Sequence, residues 1–440
     1  MRILHISTRL ILGGSQENTV LSCEGQARMG HEVHLAFGPI YGPEGSLLTR
    51  VEAFNARCEH QETTDRRHGV PAHQRQCHPI VTHVVPDLVR EVSPRRELRA
   101  VGQMRELIRT IKPDVVHTHS SKAGVLGRMA AWKEGGREGR IRVVHTIHGP
   151  PFMPVEGGLV QRCKLWLMNL VYGSAERDAA QYCHVIVSVA DAMTRQFLAR
   201  GIGTPEQYVT VHSGMETGPY LTAAPGEDRA SVRARLGLRV GDFVIGTVAR
   251  LAQHKGHDDV LDALAADLKA HPNWKLLWVG DGWWRRRLID KARGLCIGVW
   301  EADTHPAAAS SAQLIITGLV PPDRIPGLMR AMDVLAHPSY REGLPRTVPQ
   351  ALLAGVCPIA YDCDGTPEVV RDRETGLLVP TGDVARLREA VRWAFDHPRE
   401  RAEMAARGCA ECAEQFSTER MVEALEKVYR SGKSEGGSGK

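Results

Sequence analysis

The sequence predicts an α/β protein made of two doubly wound domains, and three observations carry that expectation. First, its 440 residues exceed the ~250 to 300 at which a single core stops growing, so the chain is read as two domains. Second, short β-rich runs alternate with helical patterns in two separate series, the signature of βαβ units and of parallel sheets covered on both faces. Third, the two series are separated by METGPYLTAAPGED (215–228), whose Pro, Gly and Thr content suits an interdomain linker. Two such sheets predict a central cleft, with ligands at the carboxyl ends of the strands. The expected boundaries are 1–215 and 216–415, then a closing helix over 416–432 and a disordered tail over 433–440.

In the first series RILHI opens as a buried strand, Gly13-Gly14 turns, and a helix follows from Ser15 to Met29. Further strands are expected at 33–37, 114–119, 142–147, 184–190 and 208–213. The second series places them at 242–249, 275–281, 313–318, 333–339, 357–362 and 376–380. Two segments break the rhythm. Residues 58–83 are dense in His and hold Cys58 and Cys77, but their irregular spacing matches no usual ligand geometry, so they read as a solvated insertion. Residues 296–313, with Pro and small polar residues, read as a surface loop.

Composition narrows the class. A chain that is 42% hydrophobic and 24% charged is neither disordered nor fibrous. The opening MRILHISTRLILGG is too short and too polar for a secretory apolar region, and no apolar run of ~18 residues occurs, so a cytoplasmic protein is expected. The ten cysteines lack the paired spacing of a disulfide or zinc framework. Cys409 and Cys412 form a C-x-x-C in a helical pattern with no second ligand pair, and are read as free thiols. The net charge of +5 is uneven: residues 1–215 hold 26 basic against 20 acidic residues, and the remainder 30 against 31. A basic front half suits anionic lipid or a phosphorylated substrate. With no nucleic-acid motif and only 5% aromatic residues, a nucleic-acid partner is not expected.

Four stretches carry chemistry. SYREGLPRTVPQALLAG (339–355) places Glu342 after a strand and ahead of an apolar run at helical spacing. Pro345 suits a first helical position because its missing N–H would be unpaired there anyway, so a helix is expected over 345–354, ending at Gly355. The N–H groups of Gly343 and Leu344, with the helix dipole, favour an anion. A carboxylate beside that anion is costly unless it serves hydroxyls of a polyol. Gln350, whose amide both donates and accepts, suits a ribose or sugar diol. A helix cap with an exposed Gln is the plain alternative.

In GTVARLAQHKGHDDV (246–260), Arg250 lies past a strand end and Lys255 just before a helix, with Gly246 and Gly256 as flexible punctuation. A guanidinium fork and an ammonium point charge at one sheet edge can neutralise a diphosphate. If the diphosphate is a leaving group, they also lower the barrier. An ion pair of either cation with Asp258 or Asp259 is the competing reading. HTIHGPPF (145–152) ends a strand at His148, which would look across the cleft; His145, inside the strand, is the weaker candidate, and a satisfied core histidine is the alternative. GGSQENT (13–19) opens a helix after a strand but lacks the third glycine of a dinucleotide fingerprint, which disfavours an oxidoreductase. Its small residues still allow close approach to the helix.

These pieces, with HTHSSKAGVLGRMAA, VSVADAMTRQFLARGI, WVGDG and REGLPRTVPQALLAGVCPIA, resemble in order the retaining glycosyltransferases of family four, which have the GT-B architecture of two Rossmann-like domains facing a central cleft. The resemblance covers nearly the whole chain outside the two irregular segments and the tail. It implies transfer of a sugar from a nucleotide diphosphate donor, usually a UDP-sugar, with retention and no required metal or other cofactor. By the same resemblance Arg250 and Lys255 hold the diphosphate, and Glu342 touches the transferred sugar. Gly343 and Leu344 offer N–H groups, Gly282 of WVGDG lies on the donor side, His148 reaches the donor sugar, and Gly14 lies by phosphate or acceptor. The last helix, about Thr418 to Tyr429, would cross back onto the front domain. One departure stands out: where the family usually has a second Glu seven residues further on, this chain has Gln350, which alters the contact to the ribose. The expectation is a hexosyltransferase acting on a glycan or lipid-linked acceptor in surface polysaccharide or lipopolysaccharide synthesis, peripheral to an anionic membrane. An epimerase of the same architecture and a non-catalytic sugar-nucleotide-binding protein are the rivals.

Overall fold

The computed structural model describes residues 1–40, 45–67, 77–119, 121–150, 152, 159–304 and 312–431. The expected tail, 433–440, lies outside the described residues. The chain divides into two compact units, one comprising Met1–Met215 with Thr418–Lys440, the other Glu216–Ser417.

The first unit is built on β1 (Arg2–Ser7), β2 (Glu32–Phe37), β3 (Val81–Val84), β4 (Val115–His119), β5 (Arg142–Ile147), β6 (Val185–Ser188) and β7 (Tyr208–Thr210). Their order is β3-β2-β1-β4-β5-β6-β7, and every neighbouring pair is parallel. Side chains alternate between faces along a strand. Leu4 and Ile6 of β1 pack with Val116, Val143, Met104 and Ile108 on one face. Ile3, Val115 and Val144 pack on the other against Leu21 of the helix Gly14–Arg28 and Met421, Leu425 and Tyr429 of the helix Thr418–Arg430. His5, His117 and His119 share that second face by the same period of two, and the register sets His5 opposite His117 and His119 opposite Thr146.

The second unit repeats the plan with β8 (Phe243–Val248), β9 (Trp274–Val279), β10 (Val299–Glu301), β11 (Leu314–Ile316), β12 (Val334–His337), β13 (Cys357–Asp362) and β14 (Leu377–Pro380). Their order is β10-β11-β9-β8-β12-β13-β14, again all parallel. Strand order reverses between β1 and β4 in one sheet and between β8 and β12 in the other. Chains leave such a pair toward opposite faces, which opens a crevice at the strands' carboxyl ends.

The structure corrects several expectations. The described parts of 58–83 are not an insertion of loop: they contain the end of the helix Leu48–Arg67 and strand β3, while 68–76 lie outside the described residues. Cys58 and Cys77, 19 residues apart, are joined in a disulfide; the other eight cysteines, Cys409 and Cys412 among them, are free. The loop expected over 296–313 includes strand β10, and its residues 305–311 lie outside the described set. The helix expected over 345–354 spans only Thr347–Leu353, because Pro345 precedes it and offers its carbonyl to Val348 N at 3.1 Å.

Gly246 and Gly256 are sites of close approach rather than flexible punctuation. A Cβ would lie 1.9 Å from Met332 Sδ at the first and 2.0 Å from the Pro338 carbonyl oxygen at the second, where φ is also +68°. Left-handed backbone costs an L-residue about 1–2 kcal/mol and overpacking about 1–3 more. Gly256→Ala is therefore expected to destabilise the second unit by about 2 to 5 kcal/mol. Urea unfolding followed by tryptophan fluorescence measures this, and an unchanged midpoint would contradict the packing described.

Candidate active site

In the second unit two loops meet at the β8/β12 switch point. After β8 the chain passes Arg250, makes a turn over Gln253–Lys255 and enters the helix His257–Ala270 through Gly256. After β12 it passes Ser339, Tyr340 and Glu342 to the helix Thr347–Leu353. The His254 carbonyl ties them together, accepting from Tyr340 N at 2.9 Å and from Ser339 Oγ at 3.2 Å. The loop after β13 closes the other side. Asp364 Oδ2 accepts from Glu342 N at 2.7 Å, and the Gly343 carbonyl accepts from Gly365 N at 3.2 Å. Asp364 sits at φ +47°, a region that Asp tolerates better than most residues.

This frame aims Glu342 at a cation. Lys255 Nζ donates to Glu342 Oε1 at 2.5 Å, and His337 Nε2 lies 3.1 Å from the same oxygen. The side chains are only 19% and 12% exposed for Lys255 and Glu342. Burial alone raises the carboxyl, but Lys255 and His337 outweigh it and hold Glu342 well below the usual carboxylate range. Burial, then Lys255, push His254 down to about 4 and buried His257 down to about 3, so both imidazoles are neutral near pH 7. Lys255 and Arg250 therefore carry positive charge at this edge that His254 and His257 do not.

The competing ion pairs do not form at Lys255. Asp258 is engaged by Arg287 and Lys291, and Asp259 accepts from the hydroxyls of Tyr340 and Tyr361, each at 2.6 Å. Arg250 is exposed, with its Cζ 5.7 Å from the Trp283 ring centroid. Gly282 belongs to the loop after β9, where a Cβ would lie 2.3 Å from the Leu251 carbonyl oxygen; its bare backbone lets that loop pack against the one carrying Arg250. Gly343 and Leu344 are buried. Gln350, expected to face a ligand, is 7% exposed. It lies one turn after Thr347, whose hydroxyl is 3.3 Å from His337 Nδ1, and so shares that helix face.

In the first unit Gly14 is the exposed first residue of its helix. His148 follows β5, half-buried, with Nε2 3.1 Å from His119 Nδ1. His145 is a satisfied core histidine: its Nδ1 meets Thr118 Oγ1 at 2.9 Å. Sequence reasoning missed His337, Asp364, His5, His117 and His119. The H-x-H of DVVHTH, two histidines on one face of a strand, was the available signal for the last two.

Glu342's depressed value fixes the sign of a pH effect. A carboxyl lowered by folding adds stability above its unfolded value of ~4.3, and that stability is lost as pH falls through the folded value. Glu342→Gln is expected to flatten the loss of second-unit stability between pH 5 and 3 relative to wild type. Urea midpoints across that range test it, and parallel curves would contradict the pairing.

Residues 12–218 match Glycosyltransferase Family 4, and residues 242–397 match Glycosyl transferases group 1. The D-inositol 3-phosphate glycosyltransferase of Acidothermus cellulolyticus is 30% identical over 331 residues, covering 73% of this chain and 68% of the relative. The UDP-Gal:alpha-D-GlcNAc-diphosphoundecaprenol alpha-1,3-galactosyltransferase of Escherichia coli is 25% identical over 311 residues, covering 68% and 71%. The crystal structure of HepE from Anabaena, in complex with UDP and glucose, superposes at TM-score 0.71 over 97% of this chain and 99% of that one; at 18% identity this likeness speaks for the fold. Two parallel sheets, each with its switch-point loops, and family matches on both halves lead to one conclusion: the chain belongs to glycosyltransferase family 4 and has the GT-B fold.

Proposed function

We propose that the protein transfers a hexose from a UDP-sugar, with retention of configuration, to a glycan or lipid-linked acceptor in surface polysaccharide or lipopolysaccharide synthesis. The observation that carries this reading is the buried Lys255–Glu342 pair at the β8/β12 switch point, with Arg250 on the same loop. Lys255 supplies a fixed positive charge where a diphosphate would lie, and Arg250 a second one with fork geometry. As the bond from the sugar's anomeric carbon to the phosphate oxygen breaks, negative charge grows on the departing diphosphate. Cations already in place stabilise it without rearranging. Glu342, held anionic, accepts from sugar hydroxyls; the roles proposed for His148 at the donor sugar and for Gly14 at phosphate or acceptor follow the family resemblance. Gln350 takes the ribose side with an uncharged amide. No metal is required by this scheme, since the two cations do that work.

The relatives support the choice of substrates. One is named for UDP-galactose and a diphosphoundecaprenol-linked acceptor, another for a phosphorylated inositol, and the solved neighbour holds UDP. The basic excess of residues 1–215 fits an anionic acceptor.

Peripheral attachment to a membrane in the cytoplasm completes the proposal. No helix among the described residues is long and apolar enough to cross a membrane. The helix Leu159–Ala180 instead exposes Trp166, Leu167, Leu170 and Val171, each at least 46% accessible, on one stripe beside exposed Arg162 and Lys164. An apolar stripe with flanking cations suits the interface of an anionic bilayer.

Arg250→Ala is expected to lower turnover of the best UDP-sugar and acceptor pair by ~10²-fold or more. It is a cleaner test than Lys255→Ala, which also strands a buried carboxylate. Normal turnover would remove its role, and a new free epimer formed from UDP-sugar without acceptor would favour the epimerase. Donors are identified beforehand by thermal shift with UDP-, GDP- and ADP-sugars, since a ligand of the folded state raises apparent stability. In flotation with phosphatidylglycerol vesicles, Trp166→Ser with Leu170→Ser is expected to reduce bound protein several-fold; equal flotation would overturn the membrane assignment.

A further inference from the structure

The face of the first sheet that carries His5, His117 and His119 also buries Ile3, Val115 and Val144, and the three rings are at most 1% exposed. One nitrogen from each ring lies within 4.8 Å of the other two, which invites a metal. Each ring nitrogen, however, already has a hydrogen-bond partner. Gln26 Nε2 donates to Tyr429 Oη at 2.9 Å, which leaves Gln26 Oε1 to accept from His5 Nε2 at 2.7 Å. His5 Nδ1 and His119 Nε2 are 2.9 Å apart, and His119 Nδ1 and His148 Nε2 are 3.1 Å apart. His117 sits on a branch: Nδ1 is 2.6 Å from Tyr429 Oη and Nε2 is 2.7 Å from Thr146 Oγ1.

In a neutral imidazole one nitrogen donates and the other accepts. Fixing one end of such a row therefore fixes all of it. With Gln26 Oε1 as acceptor, His5 carries its proton on Nε2 and accepts at Nδ1. His119 must then donate from Nε2 and accept at Nδ1, so His148 must donate from Nε2. Burial keeps the three inner rings neutral: His5 is lowered to about 4, and His117 and His119 fall well below their ordinary value. If the Gln26 amide turned over, every proton in the row would move to the opposite nitrogen. The amide is thus the element that sets the sense.

We infer that Gln26, His5 and His119 are positioning residues that hold His148 in its Nε2–H form, so that the tautomer of this ring is set before a sugar binds. This rests on the proposed role of His148 in hexose transfer. Tyr429, on the helix Thr418–Arg430, anchors the sense by accepting the amide N–H. A tautomer that is fixed in advance removes one source of misorientation when the hydroxyl arrives.

The test reads the tautomer directly, so it does not depend on activity. Two-bond ¹H–¹⁵N spectra of full-length, deuterated, ¹⁵N-histidine protein at pH 7.5, with His148 identified by its loss in His148→Ala, are expected to show His5, His119 and His148 all protonated at Nε2. Gln26→Leu and the milder Tyr429→Phe are expected to convert His148 to a mixture of tautomers. Gln26→Glu, whose carboxylate still accepts from His5, is expected to keep the Nε2–H form. An unchanged His148 in both Tyr429→Phe and Gln26→Leu would overturn the inference, as would about one equivalent of transition metal in the purified protein that is lost in His5→Gln. With a UDP-sugar donor, Gln26→Leu is expected to lower kcat about tenfold with donor KM within twofold. If His148→Ala leaves kcat intact while the tautomers behave as stated, the role of His148 in transfer fails and the positioning row stands.

Discussion

A carboxylate taken out of water needs a cation and hydrogen-bond donors close by, and the architecture around Glu342 follows from that requirement. Lys255 and His337 address its oxygen, and Asp364 fixes the backbone beneath it. Compared with a well-packed apolar pair of similar volume, an ion pair of this kind gains little, because desolvating both ions offsets much of their attraction. Its worth lies in placement. The loops after β8, β12 and β13 are held in register by the pair and by the hydrogen bonds beside it, so a fixed charge waits at the crevice where strand order reverses.

The first unit solves the opposite problem. Between its sheet and the helices Gly14–Arg28 and Thr418–Arg430 it buries five polar or ionisable groups, Gln26, His5, His117, His119 and Tyr429, pairing every one and leaving all of them uncharged. Satisfied networks of this sort are rigid and specific, whereas a single missing partner would expose the full desolvation cost of the group left behind. The Lys255–Glu342 pair thus presents permanent charge and the histidine row oriented neutral dipoles, two ways of preparing a polar site before a ligand arrives.

Most of the fold was legible in the sequence because buried parallel strands are written as short runs of Val, Ile and Leu. The two strands that escaped notice, Val81–Val84 and Val299–Glu301, are both sheet edges, where burial pressure is weakest. Val81 and Val84 are 44% and 59% exposed, so no apolar run marks them. Lys255 and Glu342 stood out because charged residues among Gly and Pro at strand ends have few structural uses. Their partners did not, since His337 lies inside a strand run and Asp364 22 residues beyond Glu342. The anchoring of the histidine row was hidden for the same reason. Gln26 and Tyr429 are 403 positions apart, and no local pattern encodes a meeting at that range.

The helix Thr418–Arg430 belongs to the unit that begins at Met1. On a ribosome, the nascent amino-terminal lobe must therefore wait, lacking one wall of its interior, while roughly two hundred intervening residues emerge and collapse on their own. The later lobe can mature first, and the earlier one is sealed only when the helix Thr418–Arg430 clears the exit tunnel.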